Sequence, residues 1–282
     1  MSDEETGQLR WLPSAWMFAP ADDSRKLDSA LRSRAGVVVA DLEDSIAPGR
    51  KDEAREMANA FLRDGGDVRR VVRINDPRTD AGERDLARLA GDGEPILMVP
   101  KATLETVRTA RGAHARVVAL VESARGVLEV DEIAAVPGVV AVAIGTIDLS
   151  ADLRLSELPD GLELLHARSR VVLACAAAGI PAIDGVHLAI RDTASLRGEA
   201  ERARALGFSA KLCIHPAQLE VVGEAFAPSD EEIRRAHAIV AAYERSLSGD
   251  MGVGVADGEM VDLATVRRAE RILSAEPDFS GS

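Results

Sequence analysis

Eight short apolar runs, rich in Val, Ile and Ala, alternate with amphipathic stretches along nearly the whole chain. They are AWMFAP from Ala15, VVVADLED from Val37, RVVRIN from Arg70, PILMVPK from Pro95, RVVALVES from Arg116, VVAVAIG from Val139, PAIDGV from Pro181 and KLCIH from Lys211. They show little polar alternation, which suits strands covered on both faces, as in a parallel sheet. The intervening stretches read as helices. Lys51 to Asp64 places Ala54, Met57, Ala58, Phe61 and Leu62 at three- and four-residue spacing. Ser229 and Glu232 form a capping box ahead of a stripe through Ile233, Ala236, Ile239, Val240, Tyr243 and Leu247. Gly179 stands where a helix should stop. About eight βα units predict an α/β fold, a (β/α)8 TIM barrel with a C-terminal helical extension. A doubly wound sheet would share the alternation. The expected division is a barrel over 1–247 and an extension over 248–282, the latter holding a Gly-rich link, a polar turn and a helix from Leu263 to Ala275.

Composition narrows the function classes. Aromatics are only 3% of the 282 residues, so the core must be built from small aliphatic side chains. A net charge of −13 argues against nucleic acid and anionic membranes. It still allows a small anionic ligand, because a few placed cations reverse the sign locally. Cys175 and Cys213 are too few for a disulfide framework, and both read as core residues in a reduced, cytoplasmic setting. No apolar run reaches the roughly 20 residues of a membrane span, and MSDEETGQ has no signal-peptide character.

Chemistry-bearing residues gather at the C-terminal ends of the runs. Asp41, Glu43 and Asp44 end the second, Arg73 and Asn75 the third, Lys101 the fourth, Glu122 the fifth and His215 the last. Asp148 follows the sixth, and Asp184 lies in the seventh. A barrel brings these ends to one mouth, the place where active sites are built. Glu122 and Asp148, without His or Cys beside them, suit a hard cation such as Mg²⁺; as plain strand-end acids they would cap helices or pair with Arg. Arg73 reads as a carboxylate clamp or as a salt bridge to Asp41, Glu43 or Asp44. Lys101 suits a Schiff base or, preferably, a structural ion pair. His215 reads as an acid–base or as a hydrogen-bonded structural histidine.

Read together, DLEDSIAPGRKDEAR (from Asp41), VRIN (from Val72), VPK (from Val99), LVESARGVLEVDEIA (from Leu120), IGTIDLSADL (from Ile144), AIDGVHLAIRD (from Ala182), GFSAKLCIHPAQL (from Gly207) and DGEMVDLATVRRAERIL (from Asp257) resemble the HpcH/HpaI aldolase and citrate lyase superfamily. The likeness is greatest to its citrate lyase beta-chain and malyl-CoA lyase branch. The resemblance implies a trimeric or hexameric TIM barrel with Mg²⁺ held by Glu122 and Asp148, and Glu43 and Asp44 on the metal's waters. It places Arg73 on the oxygens of a small 2-oxo acid, and the backbone amides of Gly145, Thr146, Ile147 and Asp148 on its carboxylate. Asp262, from a neighbouring subunit, would move a proton to or from the α-carbon of an acyl-CoA. The implied reaction makes or breaks a carbon–carbon bond in a 3-hydroxyacyl-CoA such as malyl-CoA or citramalyl-CoA. Close alternatives are an aldolase on free 2-oxo acids, or a carrier-protein-dependent citrate lyase beta-like subunit. CoA itself would meet Phe18, Arg25 and Lys26. The chain departs from the family at Ser14-Ala15 and Pro20-Ala21, which replace Arg-Ser and Pro-Gly, at Asp23, where CoA-binding relatives carry Arg or another polar residue, and at Ser123, which replaces a frequent Thr.

Overall fold

The computed structural model describes residues 13–64, 68–91, 93–156, 158, 161–248, 254–256 and 258–274. All eight apolar runs form strands: β1 (Ala15–Pro20), β2 (Val37–Asp41), β3 (Arg69–Arg73), β4 (Ile96–Val99), β5 (Arg116–Val121), β6 (Val139–Ile144), β7 (Ala182–Asp184) and β8 (Ala210–Cys213). Each pairs in parallel with the next, and β8 closes onto β1. The closed parallel barrel with helices between its strands is the expected TIM-barrel architecture, and closure rules out the doubly wound alternative.

Strand alternation sets the interior. Trp16, Val37, Val39, Val71, Met98, Val118, Leu120, Ala141, Ala143, Ile183, Ala210 and Leu212 make one buried cluster inside the barrel. Their alternating neighbours face the helices. Continued toward the C-terminal ends, the same inward rows reach Phe18, Asp41, Arg73, Glu122 and Gly145, so the strand period alone carries these positions to the mouth.

The helices that shape the mouth start where local chemistry dictates. Asp23 accepts the amides of Arg25 and Lys26 and caps α1 (Ser24–Leu31). The expected helix at 51 is α2 (Lys51–Arg63), and α3 (Asp80–Leu89) starts on Thr79. After β4 comes α4 (Leu104–Gly112); α5 (Ala124–Ala134) is capped by Ser123, and α6 (Thr146–Leu153) opens directly after Gly145. Gly179, at φ 69°, ends α7 (Leu165–Ala178) as the sequence predicts. Then come α8 (Thr193–Leu206) and α9 (Ala217–Phe226).

The chain divides into compact units after Gly223, ahead of the expected boundary at 247/248. The second unit contains α10 (Asp230–Ser248), a hairpin of β9 (Gly254–Ala256) and β10 (Glu259–Val261), and α11 (Leu263–Ser274). The capping box forms, with Glu232 accepting from the Ser229 amide and hydroxyl. Leu247, expected on the buried stripe, is exposed; Ala236, Ala242 and Ser246 form the buried row. The hairpin replaces the expected polar turn. Its sequence signal is the Asp257-Gly258 pair between two short apolar runs. Ala275, the expected end of the last helix, lies outside the described residues, and among those residues no helix is long and apolar enough to cross a membrane.

Met98 is wholly buried among the barrel's interior side chains. Met98→Ala should therefore cost about 2–5 kcal/mol of stability, seen as a lower denaturant midpoint with an unchanged slope.

Candidate active site

At the mouth, β2 and β3 end side by side with Asp41 and Arg73 in register. Asp41 grips the guanidinium in bidentate fashion, with Nε at 2.6 Å and Nη2 at 2.8 Å. The remaining Nη1 lies 3.1 Å from Glu43 and 3.5 Å from Asp44. The Phe18 ring lies 5.0 Å beneath the guanidinium carbon, a cation–π contact. Lys101 Nζ then donates to the other oxygen of Glu43 at 2.7 Å. The result is an alternating chain, Asp41–Arg73–Glu43–Lys101, across three strand ends. Burial pushes the Asp41 carboxyl up, but the pairing with Arg73 outweighs it and holds the group below the usual carboxylate range. Glu43 goes the other way, because burial exceeds the pull of Arg73 and Lys101. Burial alone would lower Lys101, yet Glu43 holds its proton more tightly than usual. An ion-paired, protonated amine is in the wrong state for a Schiff-base nucleophile, and the preferred ion-pair reading of Lys101 holds.

Lys101 acts through its backbone as well. Its φ of 45° lies in the left-handed region, strained for a side chain by about 1 kcal/mol. In that conformation its amide donates to Glu122 Oε1 at 2.8 Å. Glu122 is buried, and its proton affinity is pushed up to about 7, first by desolvation and further by Glu43 and Asp148. A divalent cation would relieve that repulsion. Among the described residues no three His, Cys, Asp or Glu side chains converge as a metal cluster. Two carboxylate donors fit an ion such as Mg²⁺, which keeps waters and takes its other ligands from a substrate.

Gly145 makes room for this carboxylate. A Cβ there would lie 2.5 Å from both Cβ and Oε2 of Glu122. The Gly145 amide donates to Val121 O at 2.9 Å, which holds the start of α6 beside β5. The following amides of Thr146, Ile147 and Asp148 belong to the first turn of α6. Such a turn leaves donors free, with a partial positive charge that suits a carboxylate. Ile147 and Asp148 are exposed there.

Behind the acidic loop lies a brace that the sequence does not advertise. Lys51 Nζ donates to the carbonyls of Leu42 and Glu43, each at 2.6 Å, and to Asn75 Oδ1 at 2.8 Å. Asn75 in turn gives its amide and its side-chain NH2 to Asp85, which Arg55 pairs at 2.7 Å. This fixes the two strand ends that carry Glu43 and Arg73. Asn75 is marked by its strand end, and Lys51 and Arg55 lie in the DLEDSIAPGRKDEAR stretch without a role read for them there; Asp85 sits on a helix with no distinguishing pattern.

Arg25 and Lys26 lie exposed on the first turn of α1. Asp23, out of place as a CoA contact, is accounted for as the cap of that helix. His215 Nδ1 accepts the Ala217 amide at 3.1 Å, a local structural role. Cys175 and Cys213 are buried, which pushes both thiols up to about 12 and keeps them inert. In the second unit, Asp262 Oδ1 accepts from the Thr265 amide at 2.9 Å and hydroxyl at 2.8 Å. Those bonds hold its carboxyl below the usual range.

Two outcomes follow. Gly145→Ala should leave the barrel folded but weaken Mg²⁺ binding at least tenfold by calorimetry; unchanged affinity would contradict the packing. The second concerns pH. Between about 4.5 and 7 the folded chain holds a Glu122 proton that the unfolded chain has released, so this group stabilises the metal-free fold at low pH and loses that effect as pH rises through about 7. Metal binding needs the anion, so Mg²⁺ affinity should fall about tenfold per unit below 7 and level off above it, as titrations from pH 5.5 to 8 would reveal.

Comparison with known proteins identifies the family. Residues 14–216 match the HpcH/HpaI aldolase/citrate lyase family. The chain is 35% identical over 263 residues to a (3S)-malyl-CoA thioesterase of Cereibacter sphaeroides, covering 92% of each. It is 33% identical to a citrate lyase subunit beta of Leuconostoc mesenteroides, covering 91% of each. The crystal structure of CitE from Mycobacterium tuberculosis in complex with magnesium, acetoacetate and coenzyme A superposes with a TM-score of 0.84 at 37% identity, covering 95% of this chain and 99% of that one. This chain belongs to the HpcH/HpaI aldolase/citrate lyase family.

Proposed function

We propose that this protein is a Mg²⁺-dependent lyase that forms or cleaves the carbon–carbon bond of a 3-hydroxyacyl-CoA of malyl or citramalyl type, with an acyl-CoA and a small 2-oxo acid as its partners. The observation that carries the reading is Glu122: a carboxylate whose proton affinity is raised first by burial and further by Glu43 and Asp148, facing a glycine that leaves it space. Magnesium and coenzyme A in the related CitE complex support the same class of ligands here.

The roles follow from the residues. Glu122 and Asp148 would hold Mg²⁺, which supplies Lewis-acid polarisation of the oxo acid when bound. Glu43 and Asp44 would accept hydrogen bonds from waters on such an ion. The first-turn amides of Thr146, Ile147 and Asp148 would receive the substrate carboxylate; the Gly145 amide, expected among them, is committed to Val121 O, and Arg73, fixed on its far edge by Asp41, offers Nη1 to the oxo oxygen. Asp262 of a neighbouring subunit takes a proton from the acyl α-carbon in condensation and returns it in cleavage. Thr265 keeps that carboxyl ionised and oriented. The CoA moiety extends past Phe18 toward Arg25 and Lys26. Such a site is complete only in a homo-oligomer, a trimer or hexamer.

A hydrolytic second step is the runner-up, favoured by the relatives named malyl-CoA thioesterase. The test is a screen of acetyl- and propionyl-CoA against glyoxylate, pyruvate and oxaloacetate, with product identification, with Mg²⁺ and with EDTA. Activity should require the metal. Free CoA released from malyl-CoA together with malate, and without glyoxylate, would select hydrolysis. Turnover of free aldehydes alone would select an aldolase. Asp262→Asn should lower kcat by about 10²–10⁴ while leaving Mg²⁺ affinity unchanged; a kcat within twofold of the parent would remove Asp262 from the mechanism.

A further inference from the structure

The deepest charges in the barrel take no part in that site. Asp184 and Lys211, register partners on β7 and β8, are fully buried and joined by a 2.7 Å hydrogen bond. Their neighbours Ile183, Ala210 and Leu212 fill the barrel interior, so both charged side chains face the helices. There Arg168 of α7 meets the other Asp184 oxygen at 3.3 Å, and Glu199 of α8 lies 3.5 Å from Lys211. The second Glu199 oxygen holds His187 Nδ1 at 3.0 Å, and Gln218 donates to the His187 carbonyl at 2.8 Å. The network thus runs from two strands into the loop after β7 and fixes both ends of the Asp184–His187 turn.

That turn presses on the candidate active site. A Cβ on Gly185 would lie 2.7 Å from Thr146 Oγ1, 2.9 Å from its Cγ2 and 3.0 Å from the Ile144 carbonyl. Gly185 backbone therefore abuts the first turn of α6, the turn next to Glu122. Buried ion pairs add little net stability over apolar replacements of similar volume, so stability alone gives no reason for charge here. Directional bonds that hold a loop in one place do.

We infer that the Asp184–Lys211–Glu199–His187 network is a positioning device that sets the α6 first turn through Gly185, and so tunes how a substrate carboxylate is received. The second half of that statement rests on the proposed function; the first half does not.

Three variants test it: Asp184→Asn, Glu199→Gln at the partly exposed rim, and the apolar pair Asp184→Leu with Lys211→Met. The parent amides of Gly145 and Leu149 are hydrogen-bonded, to Val121 O and Gly145 O, and serve as reporters; that of Ile74, which follows β3 and is bonded to Met98 O of the adjacent β4, is the control. In each variant that melts cooperatively, hydrogen exchange at Gly145 and Leu149 should quicken at least tenfold while Ile74 is unchanged. The apolar pair should recover the melting temperature of the parent without restoring slow exchange. In the presence of Mg²⁺, pyruvate or glyoxylate should bind about tenfold more weakly with Mg²⁺ affinity intact. Parental exchange at Gly145 and Leu149 in any folded variant would overturn the positioning role. Failure of the parent itself to bind any oxo acid would count against the proposed function, and the exchange result would still decide the network.

Discussion

A carboxylate buried beside other carboxylates is the constraint around which the mouth of this barrel is organised. Glu122 reaches the interior because β5 places every second residue inward, and it arrives next to Glu43 and Asp148. Desolvation and like charge both oppose its ionised form. Among the described residues, the hydrogen bond that favours the anion comes from the Lys101 amide, aimed by a strained backbone. Lys101's own ammonium goes to Glu43 instead. The protein therefore leaves Glu122 short of positive charge at the point where a cation from solution can supply it.

The neighbouring acids are treated differently, and the contrast gives each a distinct chemistry. Asp41 has a bidentate arginine and is held ionised, so it serves as a fixed support for Arg73. Glu43 is shared between Arg73 and Lys101 but keeps a raised proton affinity. Three acids within one cluster thus span a range from firmly ionised to half-protonated near neutrality, set by how far burial is offset by the cations each one touches. The brace of Lys51, Asn75, Asp85 and Arg55 keeps those assignments from exchanging, because it fixes the carbonyls of the loop that carries Glu43.

Two glycines carry as much of the design as the charged residues. At 145 the absent side chain is the space occupied by Glu122, and at 185 it is the space occupied by Thr146. Both lie where a strand passes into its loop, so close approach of backbone to side chain is what joins β5, β6 and β7 into one rim. The buried ion network behind β7 and β8 is the natural counterpart of such tight packing, since a loop pressed against a neighbour needs an anchor on its other side.

The sequence by itself determined the eight strands and their helices, because apolar runs buried on both faces, strand alternation and α-helical spacing are local properties; closure of β8 onto β1, and the turning of Asp184 away from the mouth, were decided by the tertiary structure. The sequence also carried Gly179 as a helix stop and the Ser229–Glu232 capping box, both short-range geometry. It left open whether Arg73, Lys101 and His215 were reactive groups or structural partners, since one side chain suits either role until its neighbours are known. Tertiary structure supplied those neighbours: Arg73 is held along one edge by Asp41 with Nη1 left toward the acidic loop, Lys101 is tied to Glu43, and His215 closes a local turn. It also decided what no pattern marks, namely the burial of Lys211 inside an apolar run and of Asp85 on a helix, and the exposure of Leu247 on an otherwise apolar stripe. Charge pairs across distant segments depend on where the closed barrel places them, and that placement is not written in any one stretch of chain.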